Sequence, residues 1–379
     1  FKATYWVCAY ANNQHDIAGD LAEDPAQSSF RRALDKSQGT LSILDGKGIV
    51  FKRIWCTYEL FISMTAAPEK KASFSWDVYT ALPPPKKKRD GEVLACGLLD
   101  SKDSKEDAKD KRMRESKFPF KSIERSFKLS VNGADASVQE DKTRILNSII
   151  GADDLLAEYP TTHPKYDTLN DTLRSRFAVA GLRAALLNSK LNDFLPYVTK
   201  GSLGDVSLDF GGVKQFGQGK TAEKLAGGLP ATLKKLTLLA DDGIVSFLDA
   251  LPPLPALTAL NLSNTGCGVE AAVALAKAKV ARPALRELNL SSCKLDDPAL
   301  AKVAGALLKV NTPFTLNLST IYSGHFPDND DNPFNKFGHP KRNGAAVKAL
   351  GKLAGKGAMV ELTLIGADLD TTDGAKLGE

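Results

Sequence analysis

Few side chains in this sequence stand where chemistry could be done. His15 lies in the run Asn12-Asn13-Gln14-His15-Asp16, just past an apolar stretch that reads as a strand, and Asp45 ends a second such stretch. Loops beyond strand ends are where α/β sheets bind ligands, so both are candidates for ligand contact; a side chain satisfied within its own loop is the plainer reading of each. His325, Asp328, Asp330, Asp331 and His339 are metal-ligating types gathered in one segment, but their spacing matches no metal site, and no metal is expected. The five cysteines form no CxxC pair and are odd in number, which argues against a zinc site or a disulfide framework and for reduced thiols acting as small apolar groups. Gly217-Gln218-Gly219-Lys220-Thr221 echoes a phosphate loop without its spacing or its preceding strand. There is no Ser/His/Asp order and no HExxH, so no catalytic constellation is complete in the sequence, and no cofactor is expected from it.

The elements that must position these residues are clearest in the second half. An aliphatic residue, two free positions, Leu, one free position and Leu recur at Leu203/Val206/Leu208, Leu233/Leu236/Leu238, Leu257/Leu260/Leu262 and Leu285/Leu288/Leu290. Two further copies are Leu316/Leu318, with Pro313 in the first slot, and Met359/Leu362/Leu364. The copies start at residues 203, 233, 257, 285, 313 and 359, so the intervals are 30, 24, 28, 28 and 46. The last two aliphatics of each copy fall on one face of a short strand, by the strand period of two. Thr265 and Cys293, three residues further on, occupy a turn position that asks for a small or polar side chain, and Leu295 and Leu369 return to the core. Ala/Leu-rich stretches with helical spacing follow, at 270–278, 298–309 and 344–355, and Pro298 suits a first helical turn after Asp296 or Asp297.

Strand plus helix in about 28 residues resembles the ribonuclease-inhibitor class of leucine-rich repeats. The resemblance implies a solenoid, because no repeat buries its apolar face alone, with the strands lining a concave surface. Leu236, Leu260, Leu288 and Leu362 should then lie side by side. The long interval leaves an inserted loop at 321–342, where Phe326, Phe334 and Phe337 are candidate partner-binding anchors.

The first half reads differently. Thr4–Ala11 and Thr40–Asp45 are expected as buried strands, with helices over Phe30–Lys36, capped by Ser28 or Ser29, and from Arg53 onward. Strand, helix, strand, helix argues for a parallel α/β sheet. The pieces "SSFRRALDKS", "GTLSILD" and Trp55-Cys56-Thr57-Tyr58-Glu59-Leu60 together resemble the middle of a Toll/interleukin-receptor-like (TIR-like) domain, and the opening "TYWVCAYANNQ" resembles TIR-like proteins of unicellular algae and other protists. The likeness covers about residues 1–65, without the first strand of that fold. In TIR domains that cleave NAD the Glu of this motif is catalytic, and Glu59 matches it. The resemblance therefore implies a carboxylate that could stabilise an oxocarbenium-like centre during glycosidic cleavage, as carboxylates do in glycosidases. Arg53 and Ile54 replace the usual small residue before Trp55, and no second catalytic group is identifiable.

Between these parts, Leu82-Pro83-Pro84-Pro85, Lys86-Lys87-Lys88-Arg89 and the alternating acids and bases of 100–117 read as a charged linker. A strand is expected at Phe127–Val131, a helix over Asp141–Ile150 opened by a Ser137/Glu140 capping box, and helices at Tyr166–Leu187 and Leu191–Val198. The assembled expectation is an α/β fold: a partial TIR-like parallel-sheet domain (1–80), a linker (81–118), a helical connector or cap (119–200) and a leucine-rich-repeat domain (201–379). Apolar residues are 43% and charged residues 25%, an ordinary balance for a soluble domain, and no apolar run is long enough to span a membrane. A net charge of +5 without a basic stripe or motif argues against nucleic-acid binding. The sequence opens at Phe1, without methionine or a targeting stretch, and reads as a fragment or processed product. Reduced cysteines favour an intracellular place, cytoplasmic first, with an organelle left open. The expected function is non-catalytic protein binding by a scaffold, alone or as a subunit of an assembly. The alternative is an NAD(P)-cleaving enzyme or immune-type sensor using Glu59.

Overall fold

The computed structural model describes residues 4–7, 23–45, 48–65, 74–82, 94–98, 115, 117–201, 203–265, 274, 284–293, 295, 297–308, 313–318, 348, 350–353, 355 and 359–363. The fold is mixed α/β with a parallel sheet, and the chain divides into two compact units, Phe1–Gly181 and Leu182–Glu379.

In the first unit, helix α1 (Ser29–Lys36) starts where Ser28 accepts a hydrogen bond from the Arg31 N–H. Strand β1 (Gly39–Leu44) leads into α2 (Ile54–Met64), and the chain returns as β2 (Ser75–Leu82), parallel to β1 with Leu44 opposite Thr80. Strand β3 (Leu94–Leu98) pairs antiparallel to β2, so this three-stranded sheet is not wholly parallel. β3 falls inside the stretch that reads as linker. Strand alternation sends Ser42 and Leu44 inward and leaves Leu41 and Ile43 exposed. Trp76 Nε1 donates to Ser42 Oγ at 2.9 Å, and Thr80 Oγ1 donates to the Leu44 carbonyl, tying the two strands. Phe51, Trp76 and Phe177 meet edge to face, with centroids 5.7–6.2 Å apart.

Helices α3 (Phe120–Ser126), α4 (Gln139–Ile150) and α5 (Pro164–Leu187) follow. Ile145, Leu146 and Ile149 of α4 share a core with Ile54, Tyr58 and Ile62 of α2, and Tyr166 and Leu169 of α5 join it. Three expectations fail here. Thr4–Val7 is not a strand, and Tyr5, Trp6 and Val7 are exposed; residues 8–11 lie outside the described residues. Phe127–Val131 is a turn: α3 ends just before it, and the Lys128 and Leu129 N–H groups bond back to Arg125 and Ser126. The Ser137/Glu140 capping box does not form. α4 starts at Gln139 with Val138 as its cap, and Glu140 pairs instead with Arg144 at 3.0 Å.

In the second unit, after α6 (Leu191–Lys200), six strands form one parallel sheet in strict chain order: β4 (Asp205–Asp209), β5 (Lys235–Leu239), β6 (Ala259–Asn261), β7 (Glu287–Asn289), β8 (Phe314–Asn317) and β9 (Met359–Thr363). Val206, Leu236, Leu260, Leu288, Leu316 and Leu362 occupy a single register row. The first five are at most 3% exposed, so each strand closes its neighbour's apolar face. Helices α7 (Thr221–Gly227), α8 (Ile244–Ala250) and α9 (Asp297–Leu307) return the chain between strands. The turns after β6 and β7 repeat one geometry: Asn264 and Ser292 both adopt positive φ, 60° and 56°. Buried Thr265 donates to the Leu262 carbonyl at 2.6 Å, and the Cys293 thiol donates to that same carbonyl at 3.0 Å.

Candidate functional site

Two places carry what the sequence singles out. The first is the middle of α2. Glu59 is partly buried there, one turn before Ser63, whose hydroxyl donates to the Glu59 carbonyl and lies 2.7 Å from Thr40 Oγ1 on β1. That contact holds the helix face bearing Glu59 against the strand. Burial pushes the Glu59 carboxyl up to about 7, against the pull of the Arg53 guanidinium, so near neutrality it exchanges between neutral acid and carboxylate. That is the range in which one group can serve as both general acid and general base. Trp55 of the same motif is structural. It stacks on Phe30 at 5.0 Å and its indole N–H donates to Asp141 at 3.1 Å. Asp45 caps its own turn, its carboxylate accepting from the Ile49 N–H at 2.8 Å.

The second place is the outward face of the six-stranded sheet, the strand-lined surface that the repeat spacing points to, although the sequence does not single out its individual residues. The residues between the paired leucines line up in register as Ser207, Thr237, Asn261, Asn289, Asn317 and Thr363. Strands stand about 4.8 Å apart, so this row of hydroxyls and amides runs for about 24 Å. Asn261 and Asn289 accept from the Ser263 and Ser291 N–H groups at 2.9 Å, which commits their amide oxygens to the turns and leaves N–H donors to the face. A parallel row, Asp205, Lys235, Ala259, Glu287, Thr315 and Glu361, adds exposed charges of both signs. The signal was present in the sequence: whatever fills the free position of each Leu-x-Leu must face away from the core. Such a surface can hydrogen-bond an extended partner.

Phe326, Phe334 and Phe337, with the neighbouring histidines and aspartates and His15, lie outside the described residues. Among the described residues no group of His, Cys, Asp or Glu is arranged to hold a metal, and no helix is long and apolar enough to cross a membrane. No family model matches this chain, and no curated protein matches it.

Proposed function

We propose that this protein is a non-catalytic scaffold whose second unit is a leucine-rich-repeat solenoid that binds a protein partner across its strand face. The observation that carries this reading is the single register row of leucines with the polar row beside it. A face of this kind presents a long, regular set of hydrogen-bonding groups on a rigid support, which suits recognition. The partner contact extends to the loop at 321–342 through Phe326, Phe334 and Phe337. The protein works in a reducing compartment, where Cys56, Cys96 and Cys293 stay free thiols. The test is binding to partners captured from the native source. Thr237→Arg and Glu287→Arg on the strand face should abolish a complex that Lys302→Glu, on the exposed side of α9, leaves intact. Equal loss or equal retention in all three variants would reject the strand face as the binding surface.

The neutral-range carboxyl of Glu59 favours a second reading, in which the first unit is TIR-like and cleaves NAD(P). Nicotinamide release that disappears in Glu59→Gln supports it; no release from the wild-type chain sinks it.

A further inference from the structure

Independently of both readings, we infer that the first unit holds a binding site for a small organic phosphate, in a cleft at the C-terminal end of β1. The cleft has a volume of about 350 Å³, which suits a ligand of mononucleotide size. Three cations line it: Lys52 from the turn before α2, Arg125 from the last turn of α3, and Lys128 from the turn that follows it. A shallower depression shares Arg125 and Lys128 and adds Lys121 and Glu124. Among the described residues lining the main cleft the carboxylate is that of Asp45, and one of its oxygens is already engaged by the Ile49 N–H. The balance is positive, and it is set against an apolar floor of Leu44, Phe51 and Leu129. Cations over an apolar floor ask for a ligand with an anionic end and an apolar or planar body.

The walls are held in place before any ligand arrives. Phe51 is fixed edge to face by Trp76 and Phe177. The Lys52 carbonyl accepts from the Asp135 N–H at 2.6 Å, and the Ile54 N–H donates to the Asp135 carbonyl, so the segment bearing Lys52 is clamped to the segment that follows Leu129. The Arg174 guanidinium donates two bonds to the Leu129 carbonyl. A preformed cleft loses little entropy on binding. Its position, outside the carboxyl end of a parallel strand, is where open α/β sheets place ligands. Glu59 does not line it, so binding here does not depend on that carboxyl.

The experiment is calorimetric titration of the full chain with ADP, inorganic pyrophosphate and adenosine. ADP should saturate with a Kd below about 1 mM. Pyrophosphate should bind more weakly than ADP because it has no body for the apolar floor. Adenosine should be at least about tenfold weaker than ADP because it gives the cations no anion. Added salt should weaken ADP binding. The double variant Lys52→Ala/Lys128→Ala removes two exposed side chains, and an unchanged melting temperature will show that it is folded; it should lose about tenfold or more in ADP affinity. Glu59→Gln should bind ADP as the wild type does. No saturation with ADP, adenosine matching ADP, pyrophosphate matching ADP, or a folded double variant with undiminished affinity would each overturn the inference.

Discussion

In the second unit each buried leucine meets its counterpart on the next strand, and one offset of 24 to 30 residues serves the rows from β4 to β8. In the first unit Phe51 meets Trp76 and then Phe177, and α2 packs on a helix that begins only at Gln139. Both cores are well buried, but one is built by repetition and the other by single long-range encounters. A repeated core spreads its stability over many equivalent contacts, whereas a core of single encounters depends on a few of them.

The largest effect should come from breaking one of those encounters. Phe177→Ala removes a ring that two other aromatics lean on, and should cost the first unit about 3–5 kcal/mol. Trp6, Trp55 and Trp76, the three tryptophans of the chain, all lie in that unit, so urea unfolding followed by indole fluorescence reads it selectively. Leu288→Ala, in the middle of the register row, should cost the second unit about 2–5 kcal/mol and move the far-ultraviolet circular dichroism transition while the fluorescence transition stays put. If the two probes shift together, the units do not unfold separately and the contrast fails.

A smaller effect isolates Glu59. Its folded carboxyl sits at about 7 against an ordinary 4.5, so the folded chain holds a proton that the unfolded chain has released between those values. Stability from this group therefore falls as pH rises from about 4.5 through about 7 and is level above. Glu59→Gln, which cannot ionise, should match wild type near pH 4 and exceed it by about 3 kcal/mol above pH 8. Equal stability of the two proteins at pH 8 would mean that the carboxyl is not desolvated. The smallest effect sharpens the repeat. Ser292 adopts a positive φ that Asn264 adopts 28 residues earlier, and asparagine tolerates that conformation better. Ser292→Asn should gain a few tenths to about 1 kcal/mol in the second unit's melt.

The same contrast explains what could be read in advance. The strand positions of the second half follow from residues close in sequence, because Leu260 and Leu262 declare their strand wherever their neighbours lie. α1, β1 and α2 were legible for the same reason, through Ser28 and local periodicity. β3 was hidden: Leu-Ala-Cys-Gly-Leu is short, rich in small residues and set among charged sequence. Phe127–Val131 has the composition of a strand, but distant groups fix it as a turn, with Asn170 accepting from the Val131 N–H and Arg174 gripping the Leu129 carbonyl. For the candidate sites, the motif around Glu59 is visible as a string of letters, but the desolvation that moves its carboxyl is a property of the folded surroundings. The cleft under Lys52 and Lys128 joins segments more than seventy residues apart, and nothing in either segment announces the other.

Strict chain order in the six-stranded sheet has a consequence for how the unit is made and how it varies. Each strand lands beside the one synthesised just before it, so none has to be threaded between two older ones, and the array can grow rung by rung as the chain leaves the ribosome. The same order makes length a free parameter. The chain runs far longer between β8 and β9 than between any earlier neighbouring pair of this sheet, yet Leu316 still pairs in register with Leu362. Duplication of a rung, or enlargement of the connection between two rungs, leaves every other rung where it was.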